Sequence, residues 1–393
     1  MKIGFASDFH LGKRLGHREI DGVNERILDF EAAVRHVIDG MIEARVDAAI
    51  IAGDLFDAAT PPERCRQFLA LEGQRLRTAL PDALLAFMRG NHDAKMSWLD
   101  ATAVGTVALG MPNVLVVDRH EAVVAVRGDT AITMIPWMKS DVDFLRAVEA
   151  AQPVEGKHNV LVLHAGMADL PEYAEMRPGE QLLTRSLVPV DRFDWIFSGH
   201  YHTHRTIADL HWTFIGSPER LSANEIGAPK GWLTYDTETR AIDFHVIPTR
   251  SWYGLEEINA TGWDAPRIVA ELRALRSTIP DWTEALVQAK ISHLTPEVYG
   301  ALDIAAVREF TAAAFYANIE FSVDDPLFAD VGAESSEAPL LDDLGAEWGR
   351  QVAGLAGRTD EERARIARIG LTALEGGSLT MALIPNAVPA PSS

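Results

Sequence analysis

Five short polar clusters could do chemistry together, because each contains aspartate, asparagine or histidine and each follows an apolar run. Their side chains offer nitrogen and oxygen ligands and no thiolate, a set that suits divalent ions such as manganese, iron, zinc or nickel. Bound cations would also offset nearby acidic charge. The clusters are Asp8-Phe9-His10, Gly53-Asp54-Leu55-Phe56-Asp57, Gly90-Asn91-His92-Asp93, His164 and Gly199-His200-Tyr201-His202.

The spacing within the clusters indicates a centre that could hold two ions. In the pairs Asp8/His10 and His200/His202, alternate residues of an extended backbone point the same way, so each pair can grip one ion or divide between two. Asp54 is a carboxylate outside these two pairs, and it can bridge two ions. Two ions about 3.5–4 Å apart can clamp a phosphate and lower the pKa of water towards neutrality.

Each cluster taken alone also has a simpler interpretation. A Gly-Asn pair is common in turns, but a turn gains nothing from His92. The Asp54 cluster could be a turn after a strand, and the Gly199 cluster could be a mononuclear site. His164 by itself is more often a half-buried structural residue, so its assignment as a ligand depends on the other four clusters.

Apolar periodicity predicts the elements that position these clusters. Residues 24–44 and 61–80 have helical spacing, and the second segment opens with prolines that suit a first turn. Strands and helices alternate, which predicts a parallel sheet covered by helices. The strands from residue 212 onwards alternate more and are expected to be antiparallel. Strand candidates are 2–7, 47–53, 83–90, 113–118, 122–126, 131–136, 159–166, 194–200, 212–217, 231–236 and 241–248.

Each polar cluster stands at the carboxyl end of a predicted strand. In open α/β sheets, ligands bind outside these ends, so clusters spread over almost two hundred residues can converge on one crevice. The pattern changes near residues 248–251. Beyond that point helices are predicted at 265–277 and 303–315, and strands at 285–293 and 317–324, which together make a small α+β domain.

Composition limits the class of protein. The 393 residues carry 36 basic and 57 acidic side chains, a net charge of −21, which argues against broad nonspecific adhesion to nucleic acid but leaves room for a local basic groove. Cys65 is the one cysteine, so no disulfide framework is possible within the chain. The polar start and the lack of an apolar run of about 18–20 residues predict a cytoplasmic protein without a membrane span.

The order of the five clusters resembles the calcineurin-like metallophosphoesterase superfamily. Four longer stretches narrow the resemblance to the SbcD/Mre11 nuclease family: SDFHLGKRLG (7–16), IIAGDLFDAATPP (50–62), FSGHYHTH (197–204) and GSPERLSANE (216–225). The resemblance implies an α/β fold of the metallophosphoesterase β-sandwich type with flanking helices, a small α+β cap domain and C-terminal helices. The implied boundaries are 1–250 for the nuclease domain, 251–325 for a DNA-binding cap, 326–376 for an acidic linker with partner-binding helices and 377–393 for a disordered tail.

The resemblance also implies a role for each cluster. His92 would face the scissile phosphate as a general acid or charge stabiliser, since imidazole titrates near working pH. Asp57 and Asp93 would orient the histidines. Manganese is the activating ion that the resemblance implies, although ligand chemistry alone does not choose it. One ion would be held by Asp8, His10, Asp54 and His202, and the other by Asp54, Asn91, His164 and His200.

The implied partners are DNA, a second copy of the chain and an SbcC/Rad50-type ATPase. The helix at 61–80 and the segment 96–110 would form the homodimer, with Phe68, Leu69, Leu76 and Leu80 on the contact face, unless these side chains pack on their own sheet. Residues 339–376, which carry Arg358, Arg363, Arg365 and Arg368, would bind the ATPase, or would be ordinary surface helices. Lys13, Arg14 and Arg18 could track a phosphate backbone or lie in a solvated loop.

The function that follows is a two-metal DNA phosphodiesterase in DNA repair and end processing. It would cleave single strands internally and duplex ends exonucleolytically. Two alternatives share the same core: a small-molecule or cyclic-nucleotide metallophosphoesterase, and a DNA-end scaffold for the ATPase in which chemistry is secondary. The extra 140 or so residues after the catalytic part argue against a small-molecule phosphoesterase. The acidic net charge argues mildly for that alternative.

Overall fold

The computed structural model describes residues 1–94, 102–109, 111, 113–170 and 181–324. The chain divides after Val323 into two units, of which the first, Met1–Val323, is compact. The predicted linker, helices and tail after residue 325 lie outside the described residues. Among the described residues, no helix is both long and apolar enough to cross a membrane.

Many short strands run through the described part of the first unit. Their bounds are β1 (Lys2–Ala6), β2 (Glu19–Ile20), β3 (Val23–Asn24), β4 (Ala48–Ala52), β5 (Leu84–Met88), β6 (Val114–Val117), β7 (Val123–Arg127), β8 (Thr130–Ile135), β9 (His158–His164), β10 (Gly166–Met167), β11 (Leu182–Leu183), β12 (Trp195–Gly199), β13 (Arg205–Ile207), β14 (Trp212–Phe214), β15 (Gly231–Asp236), β16 (Ile242–Val246), β17 (Trp252–Gly254), β18 (Ile258–Asn259), β19 (Leu286–Leu294) and β20 (Tyr316–Val323).

The helices lie where the apolar residues recur every three to four positions, and several begin at a polar capping residue. The Asn24 side chain accepts a hydrogen bond from the Arg26 backbone N–H at the start of the first helix. The Ser140 hydroxyl likewise accepts a hydrogen bond from the Asp143 backbone N–H at the start of the fourth helix. This fourth helix was not predicted from the sequence. The helices are α1 (Glu25–Glu43), α2 (Glu63–Ala79), α3 (Ala103–Ala108), α4 (Asp141–Ala150), α5 (Ala265–Arg276), α6 (Pro296–Gly300) and α7 (Ile304–Ala312).

Two six-stranded sheets pack face to face. The first has the order β16-β15-β1-β4-β5-β6 and the second β13-β14-β12-β9-β8-β7. The core strands of each sheet are parallel. Fully buried apolar side chains fill the space between the sheets, and the rings of Phe5 and Phe197 stack across it with centroids 4.1 Å apart. The predicted α/β sandwich is confirmed.

Helices cover the outer faces of the sandwich. Phe30 and Val34 of α1 pack with Leu69 and Leu76 of α2 over the first sheet. Phe144 and Val148 of α4 pack in the core cluster of the second sheet. Such burial is the main favourable term in folding.

The structure bears on three expectations about this domain. The strand at Trp212–Phe214 was expected to be antiparallel, and it pairs antiparallel with β13 on one side but parallel with β12 on the other. Phe68, Leu69 and Leu76 are buried in the core of their own domain, so the alternative to a dimer face describes them correctly. Arg18, which was expected to track a phosphate backbone or to lie in a solvated loop, has a side chain that is 39% exposed and forms ion pairs with Glu25 and Glu284.

Residues from Trp252 onwards form a third sheet with its own helices. The strand β19 is central and pairs parallel with β17, β18 and β20. Ile268 and Leu272 of α5 and Phe310 of α7 pack beneath it with Trp282. We call Trp252–Val323 the cap.

Candidate metal centre

The five polar clusters meet at one edge of the sandwich. Asp8, Asp54 and Asn91 follow the parallel strands β1, β4 and β5 of the first sheet. His164 ends β9 and His200 follows β12 of the second sheet. Parallel strands bring their carboxyl ends to the same edge, so residues far apart in sequence become neighbours there.

Asp54 lies at the middle of the centre. Its Oδ2 atom is 3.5 Å from His10 Nε2 and 3.3 Å from His164 Nε2. Its Oδ1 atom accepts a hydrogen bond of 2.8 Å from the backbone N–H of His92. One carboxylate oxygen therefore faces two histidines from different sheets, which is the placement a bridging ligand requires.

The remaining predicted ligands surround Asp54 on two sides. Asn91 Oδ1 is 3.1 Å from His164 Nε2 and 3.1 Å from a ring nitrogen of His200. Asp8 Oδ1 is 4.0 Å from His202 Nε2. Three groups each bring one ligand atom per residue within 4.8 Å of one another: Asp8, His10 and His202; His10, Asp54 and His92; and Asp8, Asp54 and His164.

His10 shows that these side chains fit a metal ion. Both of its ring nitrogens are buried and form no hydrogen bond with any described residue, although carboxylate oxygens of Asp57 and Asp54 lie 3.3 and 3.5 Å away. A buried polar atom without a partner is costly and requires an explanation. Nitrogen and oxygen ligands arranged around such an atom suit divalent transition-metal ions.

The backbone at the strand ends is strained. Asp8, His10, Asp54 and His200 have φ angles of 55°, 41°, 50° and 82°, in the left-handed region that side chains rarely adopt. Residues held this way persist only where the surrounding structure imposes the conformation, and they concentrate at functional sites. Gly53 has a φ of 98° and packs so closely on the His164 ring that a Cβ atom there would collide with it.

Charges at the centre shift one another's pKa values. Burial favours neutral Asp54, but the charges of His164 and His10 outweigh it and hold the pKa of Asp54 below its usual range. Burial opposes protonation of His164, yet Asp54 raises the pKa of this imidazole to about 9. Burial and the charge of His164 lower the pKa of His200 to about 3. Perturbed groups of this kind are typical of functional sites.

His92 and its neighbours lie at the open side of the centre. The His92 side chain is exposed, its ring centroid is 4.7 Å from that of His10, and its Nδ1 is 2.9 Å from the carbonyl oxygen of Asp57. Asp93 is buried and accepts hydrogen bonds from the backbone N–H groups of Gly90, Leu55 and Phe56. Asp93 therefore ties the loop after β5 to the loop after β4. His204 lies outside the centre, stacked on Phe244.

Residues 1–204 match the family described as Calcineurin-like phosphoesterase. The chain belongs to this family of metal-dependent phosphoester hydrolases. The matched range includes all seven predicted ligands, from Asp8 to His202. The family resemblance stated from the motifs is confirmed.

Curated relatives of this phosphoesterase carry the name "DNA double-strand break repair protein Mre11". The protein from Methanosarcina mazei is 30% identical over 265 residues, which are 64% of this chain and 39% of that protein. The protein from Aeropyrum pernix is 26% identical over 321 residues, 75% of this chain and 74% of that protein. The match with the Methanosarcina protein thus spans about two fifths of its length.

One neighbour of the phosphoesterase centre was not predicted from the sequence. Glu225 lies within the quoted stretch GSPERLSANE but received no role, and its Oε1 atom is 3.0 Å from His202 Nδ1. Burial raises the pKa of Glu225, but the hydrogen bond from His202 and the charge of Lys230 outweigh it and lower that pKa to about 2. A carboxylate following a polar, glycine-containing loop was the available signal, and it is weak because such loops are common.

Proposed function

We propose that this phosphoesterase is a DNA nuclease that uses two divalent ions, manganese by family resemblance. The observation that carries the proposal is the position of Asp54 Oδ2, 3.5 Å from His10 Nε2 and 3.3 Å from His164 Nε2. The first ion would be held by Asp8, His10, Asp54 and His202, and the second by Asp54, Asn91, His164 and His200. Bound ions would stabilise the charge of a phosphodiester and supply a nucleophile at neutral pH.

The residues of the chain would orient the substrate and move the proton. A carbonyl oxygen only accepts hydrogen bonds, so His92 Nδ1 donates to the carbonyl of Asp57. Its Nε2 is then the nitrogen that can exchange a proton with the phosphodiester or the leaving oxygen. The exposure of His92 suits this role, because the side chain must reach a substrate. Asp57 also lies 3.3 Å from His10 Nδ1 and so connects the two histidines.

DNA is proposed as the substrate because of the relatives' printed name and the additional cap. The cap would contact DNA beside the centre, and activity would include single-strand endonuclease and duplex-end exonuclease cleavage. Residues 339–376 would bind an SbcC/Rad50-like ATPase. A homodimer would use exposed apolar side chains of α2 and the residue after α3, of which Leu71 is 66% and Leu109 is 85% exposed. These replace Phe68, Leu69 and Leu76 as candidates for the contact.

The test is cleavage of end-labelled single-stranded and hairpin DNA with Mn²⁺ by wild type, His92→Asn and His36→Asn. His36 is an exposed histidine on α1 and serves as the matched control. We expect wild type and the control to cleave DNA equally, and His92→Asn to be slower by about 10²–10⁴-fold while it still binds Mn²⁺ and DNA.

A second substrate separates the nuclease from the small-molecule phosphoesterase. The high net negative charge of −21 is the observation that favours the small-molecule alternative. Bis-p-nitrophenyl phosphate reports any intact metal centre. Hydrolysis of this ester without cleavage of DNA, even with the ATPase partner present, would contradict the nuclease proposal.

A further inference from the structure

A second buried polar cluster lies behind His202, on the side away from Asp8. Glu225 and Lys230 are 5% and 1% exposed, so both charges are removed from water. Glu225 Oε1 is 3.0 Å from His202 Nδ1, and Lys230 Nζ donates to Glu225 Oε2. The same ammonium group donates to the carbonyl oxygen of His202 at 2.8 Å and to Ser217 Oγ at 2.9 Å.

This cluster determines which nitrogen of His202 can bind an ion. A carboxylate accepts hydrogen bonds and cannot donate them, so the proton of neutral His202 lies on Nδ1. The lone pair is then on Nε2, the atom that faces Asp8 Oδ1 at 4.0 Å. A carboxylate behind a ligating histidine fixes the tautomer and orientation of the ring and makes the ligand more basic.

Lys230 gives the cluster its rigidity. A buried ammonium group is costly unless its hydrogen bonds are satisfied. The Lys230 ammonium has three acceptors, which are the carbonyl oxygen of His202, the Glu225 carboxylate and Ser217 Oγ. The ammonium therefore fixes both ends of the contact between histidine and carboxylate. Glu225 is fixed further by the backbone N–H of Leu221 at 3.2 Å.

The two fully buried histidines of the centre, His164 and His10, have different partners. His164 Nδ1 lies 2.8 Å from the carbonyl oxygen of Ala52, a neutral group. His10 Nδ1 lies 3.3 Å from Asp57, a carboxylate paired at 3.4 Å with the half-buried Lys13. Of these described histidines, His202 is thus the one whose carboxylate partner is fixed by a fully buried cation.

We propose that Glu225 and Lys230 are positioning residues that hold His202 ready for the ion shared with Asp8 and His10. The inference rests on the proposed function, since it assumes that the centre binds divalent ions. Glu225, the last residue of GSPERLSANE, and Lys230, the residue before β15, would then act in the reaction through the orientation of His202. Loss of the Glu225 carboxylate should lower the affinity for the ion at His202 more than the affinity for the ion at Asn91, His164 and His200.

The test is calorimetric titration of Mn²⁺ into wild type, Glu225→Gln and Glu219→Gln. Glutamine has the shape of glutamate but lacks the charge. Glu219 is the matched control, because it is a buried carboxylate on the same segment that pairs with Arg26 at 3.1 Å and has no described contact with His202. We expect Glu225→Gln to bind one of the two ions about 10–100-fold more weakly, and Glu219→Gln to bind both as wild type does.

Steady-state kinetics give a second readout. For Glu225→Gln, kcat at low Mn²⁺ should fall by a similar factor and recover at high Mn²⁺, while KM for DNA stays unchanged. A purely structural role would lower stability without this dependence on the ion. Lys230→Met should lower the affinity for the same ion. Lys230→Arg keeps the charge and should therefore retain part of the affinity that Lys230→Met loses. If Lys230→Met does not fold, the glutamine variant, which preserves side-chain shape, decides the question.

The outcomes separate this inference from the function on which it rests. Unchanged binding of both ions by Glu225→Gln would overturn the positioning role and leave the two-metal centre intact. An equal loss in Glu219→Gln would also overturn it, because the weaker binding would then come from a loosened fold. Failure of wild type to bind Mn²⁺ would instead overturn the proposed function itself.

Discussion

Two networks of charged side chains in the first unit differ in how completely their members are bonded to one another. The metal centre is one, and the other is a clasp between the phosphoesterase domain and the cap that is built on Arg250. In the clasp, Arg250 contacts Asp29 at 2.7 Å, Glu284 at 2.6 Å and Glu25 at 3.1 Å, and its guanidinium lies 3.8 Å from the ring centroid of Phe315.

The clasp also uses Arg18, so that two cations face three carboxylates. Arg18 contacts Glu25 at 3.0 Å and Glu284 at 3.1 Å, and its guanidinium carbon also lies 5.0 Å from the ring centroid of Phe315. Planar guanidinium groups suit this combination of paired hydrogen bonds and stacking. Every charged group named here has a protein partner, so the clasp is complete without a ligand.

The metal centre lacks that completeness. His10 has two buried nitrogens without a hydrogen bond to described residues, and burial together with the charge of Asp54 raises the pKa of Asp93 to about 7. The backbone there also adopts unfavourable φ angles at four non-glycine residues. Buried charges that satisfy one another hold parts of a protein together, whereas buried ligands left unsatisfied indicate a site for something the chain does not supply.

Asp54→Asn should have the largest effect on this contrast. The variant loses the carboxylate that faces both His10 and His164, so catalysis should fall by about 10³-fold or more, the equivalent of several kcal/mol of transition-state stabilisation. Wild type should also show a higher Tm when Mn²⁺ is added, because the ion binds only the folded state. The measurement is a thermal melt with and without Mn²⁺, and an undiminished shift in the variant would refute the bridging position of Asp54.

Arg250→Met should break the clasp and leave the metal centre as it is. Removing Arg250 leaves three carboxylates with fewer cations, although Arg18 still pairs with Glu25 and Glu284, so the free energy of unfolding should fall by about 2 kcal/mol, less than for a fully uncompensated buried charge. Urea denaturation measures this change, and Mn²⁺ affinity should match that of wild type. Arg240→Met is the control, since Arg240 is 56% exposed in its pair with Asp194 and should contribute less than about 1 kcal/mol. Equal losses in the two variants would contradict the structural role assigned to the clasp.

Gly53→Ala and Gly227→Ala should separate backbone strain from contact with the centre. Both glycines have positive φ angles, 98° and 80°, but a Cβ atom at Gly53 would collide with the His164 ring while Gly227 faces open space. The left-handed conformation alone costs about 1 kcal/mol for alanine. We therefore expect about 1 kcal/mol of lost stability for Gly227→Ala and about 2 kcal/mol for Gly53→Ala, with weaker Mn²⁺ binding only in the latter. Urea denaturation and Mn²⁺ titration of both variants test the difference.

The sequence predicts well which residues meet at the candidate centre, because its signals are local. Asp8, Asp54, Asn91, His164 and His200 each end or follow an apolar strand, and the parallel pairing of those strands brings them to one edge. The residue types then indicate the chemistry. Neither step requires knowledge of distant contacts, except that the two sheets must face each other.

The clasp and the contact of Glu225 with His202 could not be predicted in this way. Arg18, Arg250 and Glu284 are ordinary charged residues whose partners lie up to 266 positions apart in sequence. Apolar periodicity likewise showed that α2 has a buried face but not which surface covers it. Alternation of side chains in the strand at Trp212–Phe214 defines two faces and says nothing of the direction of its neighbour. These features depend on tertiary placement.

Cys65→Ala should have the smallest effect. Cys65 is fully buried in the apolar core on α2, and burial raises the pKa of its thiol to about 11, so it is neither a ligand nor a reactive group. We expect the variant to lose about 1 kcal/mol of stability from the small cavity and to keep full Mn²⁺ affinity. In wild type, iodoacetamide should modify the thiol only after unfolding in urea. Rapid modification of the folded protein, suppressed by Mn²⁺, would instead make Cys65 part of the centre and weaken the distinction between satisfied core and unsatisfied site.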